Sequence, residues 1–140
     1  MNVTVTDVRD AVLAALAAID QAVPVYGEET EAARPYFLAK LHRVWQTRVM
    51  GRRYVRSYKF DVQYFPSTTE PYGESHAVAD KLYEALELIP FGSGNIRGAR
   101  MRHVMIDGAL HFFFTIEVEM FKQIAPPPLM ASADMEETIL

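Results

Sequence analysis

Two stretches of strand-type alternation, Pro35 to Phe65 and Ile96 to Phe121, constrain this chain more than anything else in it. In the second half of the first stretch, Tyr54, Tyr58, Phe60, Val62 and Tyr64 fall on one face, with Arg56 the only interruption. Ser57, Lys59, Asp61 and Gln63 fall on the other. A period of two belongs to a half-buried antiparallel strand and not to a helix. The first half, Pro35 to Val49, is equally rich in strand formers but alternates less cleanly, and Met50-Gly51-Arg52 supplies a turn between the two. Pro66 stops the second strand, and Ser67 to Pro71 reads as a loop. The later stretch turns at Asp107-Gly108, a dipeptide suited to a two-residue hairpin loop. Its return strand sets Leu110, Phe112, Phe114, Ile116, Val118 and Met120 against His111, Phe113, Thr115, Glu117 and Glu119.

Helical periodicity accounts for what lies between. Val8, Val12, Ala15, Leu16, Ile19 and Val23 recur at three- and four-residue steps, which predicts a helix over about Thr6 to Ala22, capped by Thr6 and ended by Pro24. A short strand at Val25-Tyr26 and an acidic loop, Gly27 to Glu31, follow. Val78, Leu82, Ala85, Leu86 and Ile89 predict a second helix from about Glu74 to Leu88, closed by Pro90 and the glycines at 92 and 94. The order is α-β-β-β-α-β-β, a coarse duplication of one helix-hairpin unit. The fold class is α+β: a mainly antiparallel sheet of two long hairpins, with two helices packed on one face. The 140 residues suit one domain. Residues 1–125 are assigned to it, and 126–140, opened by Pro126-Pro127-Pro128, to a Pro-rich, acidic tail.

The strands are too long for the helices. About 13 residues at ~3.3 Å each span roughly 43 Å, against about 23 Å for a helix of some 15 residues. The first hairpin should therefore project, from around Thr47 to Val55, beyond what the helices cover. That tip is charged: Arg43, Arg48, Arg52, Arg53 and Arg56, with Lys40 and Lys59 at the flanks and no acid between Arg34 and Asp61. Arg97, Arg100 and Arg102 form a second basic strand, expected near it. Acids gather instead at Glu28 to Glu31 and in the tail at Asp134, Glu136 and Glu137. Two readings stand side by side. Arginines at a hairpin tip protect an exposed edge, or opposite charges segregated on one chain serve head-to-tail self-association, which closes as a ring.

Composition removes several function classes. With 14 Lys and Arg against 18 Asp and Glu the formal charge is -4, poorly suited to coating nucleic acid. The absence of cysteine removes disulfides, thiolate metal sites and cysteine nucleophiles. MNVTVTDVRD lacks the layout of a secretory signal, and no apolar run approaches the ~18 residues of a membrane span. A soluble, cytoplasmically assembled protein with no membrane association is expected. His42, His76, His103 and His111 show no metal-ligand spacing, although His103 and His111 could meet across the second hairpin. Glu117 and Glu119 read as ordinary surface. The glycine-rich Phe91 to Asn95 follows a helix and lacks the lysine of a phosphate loop. No catalytic, metal or cofactor site is assigned.

The run Trp45-Gln-Thr-Arg-Val-Met-Gly-Arg-Arg-Tyr54, with Ser57-Tyr-Lys-Phe-Asp-Val-Gln-Tyr-Phe-Pro66, resembles the phage tail terminator family of phages and prophages of Gram-positive bacteria. The opening Val-Arg-Asp-Ala helix and the segment Val78 to Leu86 are similar to it too, so the resemblance covers about residues 1–120. It implies a virion structural protein at the head-tail junction: a ring, commonly a hexamer, on the head-proximal end of the tail tube. Such a ring stops tube polymerisation and offers a joining surface to the neck. The implied partners are its own copies, the tail tube protein, a sheath protein where the tail contracts, and a neck or connector protein. DNA would pass through the lumen without specific binding. The expected interface residues are Arg43, Trp45, Arg48, Arg52, Arg53, Tyr54, Arg56, Arg100 and Arg102, with Trp45 and Tyr54 as anchors. Another neck or head-tail connector ring, and a nucleic-acid-binding accessory protein using the same arginines, are the alternatives.

Overall fold

The two alternating stretches form the hairpins their turns call for. In a computed structural model, which describes residues 3–29, 32–67 and 70–122, the first hairpin is β2 (Tyr36–Met50) and β3 (Arg53–Phe65). The second is β5 (Gly94–Ile106) and β6 (Ala109–Phe121). Gly51 takes φ +54° in the first turn, and Asp107 and Gly108 take φ 51° and 76° in the second. These are left-handed conformations that glycine and aspartate tolerate best. Together with β1 (Val25–Tyr26) and β4 (Leu88–Phe91) the strands make a six-stranded sheet in the order β1-β2-β3-β6-β5-β4. Every pairing is antiparallel except β1 with β2.

Helices α1 (Val5–Ala17) and α2 (Pro71–Ala85) put one core together with the even-numbered face of β3 and β6. Val8, Val12 and Leu16 from α1, and Ala79, Leu82 and Leu86 from the α2 end, join Tyr58, Phe60, Val62, Leu110, Phe112, Phe114 and Ile116, all buried. Phe60 stacks on Phe114 at 5.2 Å across the β3–β6 pair. At roughly 1.5–3 kcal/mol for each large apolar side chain taken from water, this face is where the fold is held. The α+β class and the order α-β-β-β-α-β-β expected from the sequence are observed, with the short β4 added after α2 and both helices on one face.

Boundaries differ, each for a local reason. The cap of α1 is Thr4, not Thr6. Its hydroxyl accepts from the Asp7 amide at 3.1 Å, while the Asp7 carboxylate accepts from the Thr4 amide at 3.0 Å. The helix ends at Ala17 and not Ala22, because Asp20 turns the chain by accepting from the Ala22 amide at 3.0 Å. Helix α2 begins with Pro71 at its first turn and stops at Ala85. The next residues become β4, which sequence periodicity placed in the helix end and its closing turn. Pro90 does not prevent this, since β4 is the outermost strand. The end of α2 is locked to β5 where the Gly98 amide reaches the Leu86 and Glu87 carbonyls at 3.0 and 3.2 Å. The Pro-rich tail at 126–140, and Thr30 and Glu31 of the acidic loop, lie outside the described residues.

Candidate interface: the basic hairpin and its surroundings

Fifteen residues of β2 span about 50 Å, whereas α1 and α2 run ~20 and ~22 Å, so the sheet outruns its helical layer. Burial records the mismatch. Tyr36 to Ala39 of β2 are buried, and from Gln46 to Met50 every residue is exposed. Strand β1 pairs only with Phe37 and Leu38, so among the described residues the outer edge of β2 has no strand partner from Ala39 onward. The projection is three strands wide, because β6 follows β3 to its end in the pair Arg53–Phe121. Its tip also carries apolar side chains: Val49 is 53% exposed, Met50 75% and Phe121 59%. Sequence reasoning saw the arginines and missed these three. Alternation gave no signal for them, since Phe121 falls outside the apolar row that ends at Met120, and Val49 and Met50 are consecutive residues at a register shift beside the turn.

The sheet divides the expected interface residues between its two faces. Register shifts at Leu41/Arg43 and Arg48/Met50 interrupt the alternation of β2. Arg43, Trp45 and Arg53 share the face away from the helices, set against Lys59, Ser57 and Phe121 respectively. Arg48, Tyr54 and Arg56 take the helix side. Arg43 lies over the Trp45 ring at 5.0 Å, a half-exposed cation–π stack. Arg53 pairs with Glu119 at 3.0 Å and lies 5.4 Å from the Phe121 ring. Arg48 donates to the Gly51 carbonyl at 3.1 Å and braces the turn. Arg56 forks onto the Gln46 side-chain oxygen at 3.0 and 2.8 Å and reaches the Val3 carbonyl at 3.3 Å, which explains an arginine on the apolar face: it fastens the start of α1 to the sheet. Tyr54 is buried, with the Lys122 ammonium 4.6 Å over its ring. Arg52 is exposed, its backbone carbonyl accepting from the Lys122 amide at 3.0 Å.

The second basic strand is not beside the tip. Strand β5 lies on the far side of β6, and Arg102, stacked over Phe113 at 4.4 Å, sits level with Asp61. From Phe113 to Phe121 along β6 is roughly 26 Å, so Arg102 and the tip belong to different surfaces. Arg100 holds φ 54° in a bulge between Ala99 and Arg102, an unusual conformation for a side chain of its size. Of the acids expected to gather, Glu29 is used within the chain, and Glu31, Asp134, Glu136 and Glu137 lie outside the described residues. Glu29 pairs within the chain with Lys40, whose hydrogen bond and charge hold the Glu29 carboxyl below its ordinary range. His103 and His111 do not meet, because their register positions fall on opposite faces. His103 contacts His76 at 3.2 Å and the Tyr83 hydroxyl at 2.9 Å, and His111 contacts Asp61 at 3.2 Å. Among the described residues no group of three metal-ligating side chains converges, and no helix is long and apolar enough to cross a membrane.

On the helical side a groove of about 340 Å³ runs between α1, the end of α2 and β4, lined by Ala11, Ala14, Ala15, Ala18, Ile19, Ala85 and Pro90. It continues past Ala11 and Pro90 into a depression bounded by Asp7 and Asp10. The run of alanines in α1 was its trace in the sequence.

The chain is thus a small α+β unit with an overlong, charged and apolar-tipped hairpin. The family can be stated. Residues 7–128 match the family model described as phage tail terminator protein, and the chain belongs to that family. It is a family of structural phage tail proteins and not of enzymes, which places the chain in the virion tail among tail and head components. No curated protein matches the chain. One solved structure aligns over 90% of this chain and 100% of its own at 16% identity and a TM-score of 0.44.

Proposed function

We propose that this tail terminator acts as a ring of identical copies, hexameric by family habit, seated on the head-proximal end of the tail tube. It stops tube polymerisation and presents the joining surface for the neck. The observation that carries this reading is the hairpin, a sheet extension that no helix covers and whose apolar end and charged flanks would be costly to leave in water. Tail tube protein, the neck or connector protein and, where the tail contracts, the sheath are the other partners. Arg43, Trp45, Arg48, Arg52 and Arg53 are the contact residues on this hairpin, the buried Tyr54 and the internally bonded Arg56 support them from within, and Arg100 and Arg102 contact a different neighbour. The arginines are dispersed over two faces and two strands, and Arg53 is already paired. That dispersion favours protein partners over a continuous track for nucleic acid, and DNA passes through the lumen without being gripped.

The test is polymerisation of purified tube protein with the terminator added. Expected are shorter tubes carrying a ring at one end in electron micrographs. Tubes of unchanged length at saturating terminator would overturn the reading. A ring found only on connector complexes would move the chain to the neck instead.

A further inference from the structure

We infer that the hairpin tip of one copy seats in the α1–α2 groove of the next, so that the ring is closed by a knob-and-groove contact between copies. The inference rests on the ring proposed above and names its contact. Knob and groove match in three independent respects. In shape, Met50 and Val49 stand at the end of a projecting hairpin, and the groove is a concavity of about 340 Å³. In polarity, Val49, Met50 and Phe121 are exposed apolar side chains, and alanines, Ile19 and Pro90 line the groove. In charge, Arg48, Arg52 and Arg53 surround the knob, while Asp7 and Asp10 line the depression that continues the groove past Ala11 and Pro90. Aspartates on one rim and arginines on the other steer the encounter, and the apolar centre holds it.

The contact cannot close within one chain. Arg56 fixes the start of α1 near the base of the tip, and α1 then runs away from it toward Pro24, whose carbonyl accepts from the Phe37 amide at 2.9 Å. Ala14 therefore lies roughly 25 Å from the tip of its own copy. Two different patches meeting make a heterologous contact, the kind that generates a ring when its rotation closes. The open stretches of both sheet edges are basic, with Arg43 and Arg48 along β2 and Arg100 and Arg102 along β5 beyond its pairing with β4. Edge-to-edge pairing of copies would set like charges together, so the groove is the better seat.

The absence of cysteine makes the test direct. Full-length chain carrying Met50→Cys and Ala14→Cys is treated with a short bismaleimide, and products are sized under denaturing conditions. The expected result is a ladder reaching the ring's copy number, with each single variant stopping at the dimer or below. Arg52→Glu should weaken assembly in native mass spectrometry about tenfold, and Asp10→Arg in the same chain should restore most of it. Rings that form without a ladder overturn this inference and leave the proposed function standing. No ring, alone or on tubes, overturns both. A ladder from Leu129→Cys with Ala14→Cys, absent with Met50→Cys, assigns the groove to the C-terminal tail and overturns the knob.

Discussion

Tyr64 shows how one side chain ties elements together. Its hydroxyl donates to the Glu74 carboxylate at 2.6 Å, and that carboxylate also accepts from the Ser67 amide at 3.0 Å and the Ser67 hydroxyl at 3.3 Å. One acid in the first turn of α2 thus holds the end of β3, the connection and the helix. Burial, and then the hydrogen bond to the Glu74 anion, push the phenol well above its ordinary 10.0. Folding therefore favours the protonated form. The contribution is complete below pH 10 and is lost as pH rises further, since only the unfolded chain ionises freely there. Tyr64→Phe should cost about 1 kcal/mol at neutral pH and flatten the loss of stability above pH 10, read by urea unfolding across that range. None of this was visible in the sequence, where Tyr64 was one apolar position among five. Arg56 was legible as an interruption in the same row, but what it fastens depends on where the chain start lies, which periodicity does not encode.

At the scale of elements, the strands were legible because a period of two and the Asp107-Gly108 turn are local signals. Helix ends were less so, because competing hydrogen bonds decide them: Asp20 for α1, and the Gly98 amide for the segment after α2. The division of the hairpin arginines between faces was hidden by register shifts, which count residues without announcing themselves in composition. The α2–β5 joint makes a sharp prediction. A Cβ at Gly98 would stand 2.2 Å from the Leu86 carbonyl oxygen, a backbone atom that cannot swing aside. Gly98→Ala should therefore destabilise the fold by about 2–3 kcal/mol, measured as a lowered Tm, with β4 separating from the sheet. Gly94→Ala, where a Cβ meets nothing within 4 Å, is the control and should cost well under half of that.

For the molecule as a whole, the sequence yielded a net charge and a suspicion of polarity, and the structure relocates that polarity. Acids lie along the helical layer, at Asp7, Asp10, Asp80, Glu84 and Glu87, and most bases lie on the strands. Partners were not legible from composition, because complementarity is a relation between surfaces distant in sequence. If copies assemble through them, folding and association are linked, and the apparent Tm should rise with protein concentration. Met50→Asp should remove that dependence while leaving the Tm of the dilute protein nearly unchanged, since Met50 is 75% exposed. Scanning calorimetry over a hundredfold concentration range separates the two cases.

The fastening of Val3 by Arg56 and of Lys122 by the Arg52 carbonyl has a practical consequence. The first and last described segments emerge at one end of the sheet, close to the hairpin tip. A fluorescent protein or affinity handle joined directly before Val3 or directly after Lys122 would crowd that end, and a chain so tagged that fails to oligomerise would report the tag. The Asp107-Gly108 turn lies at the opposite end of the strands and offers a site for a label clear of it.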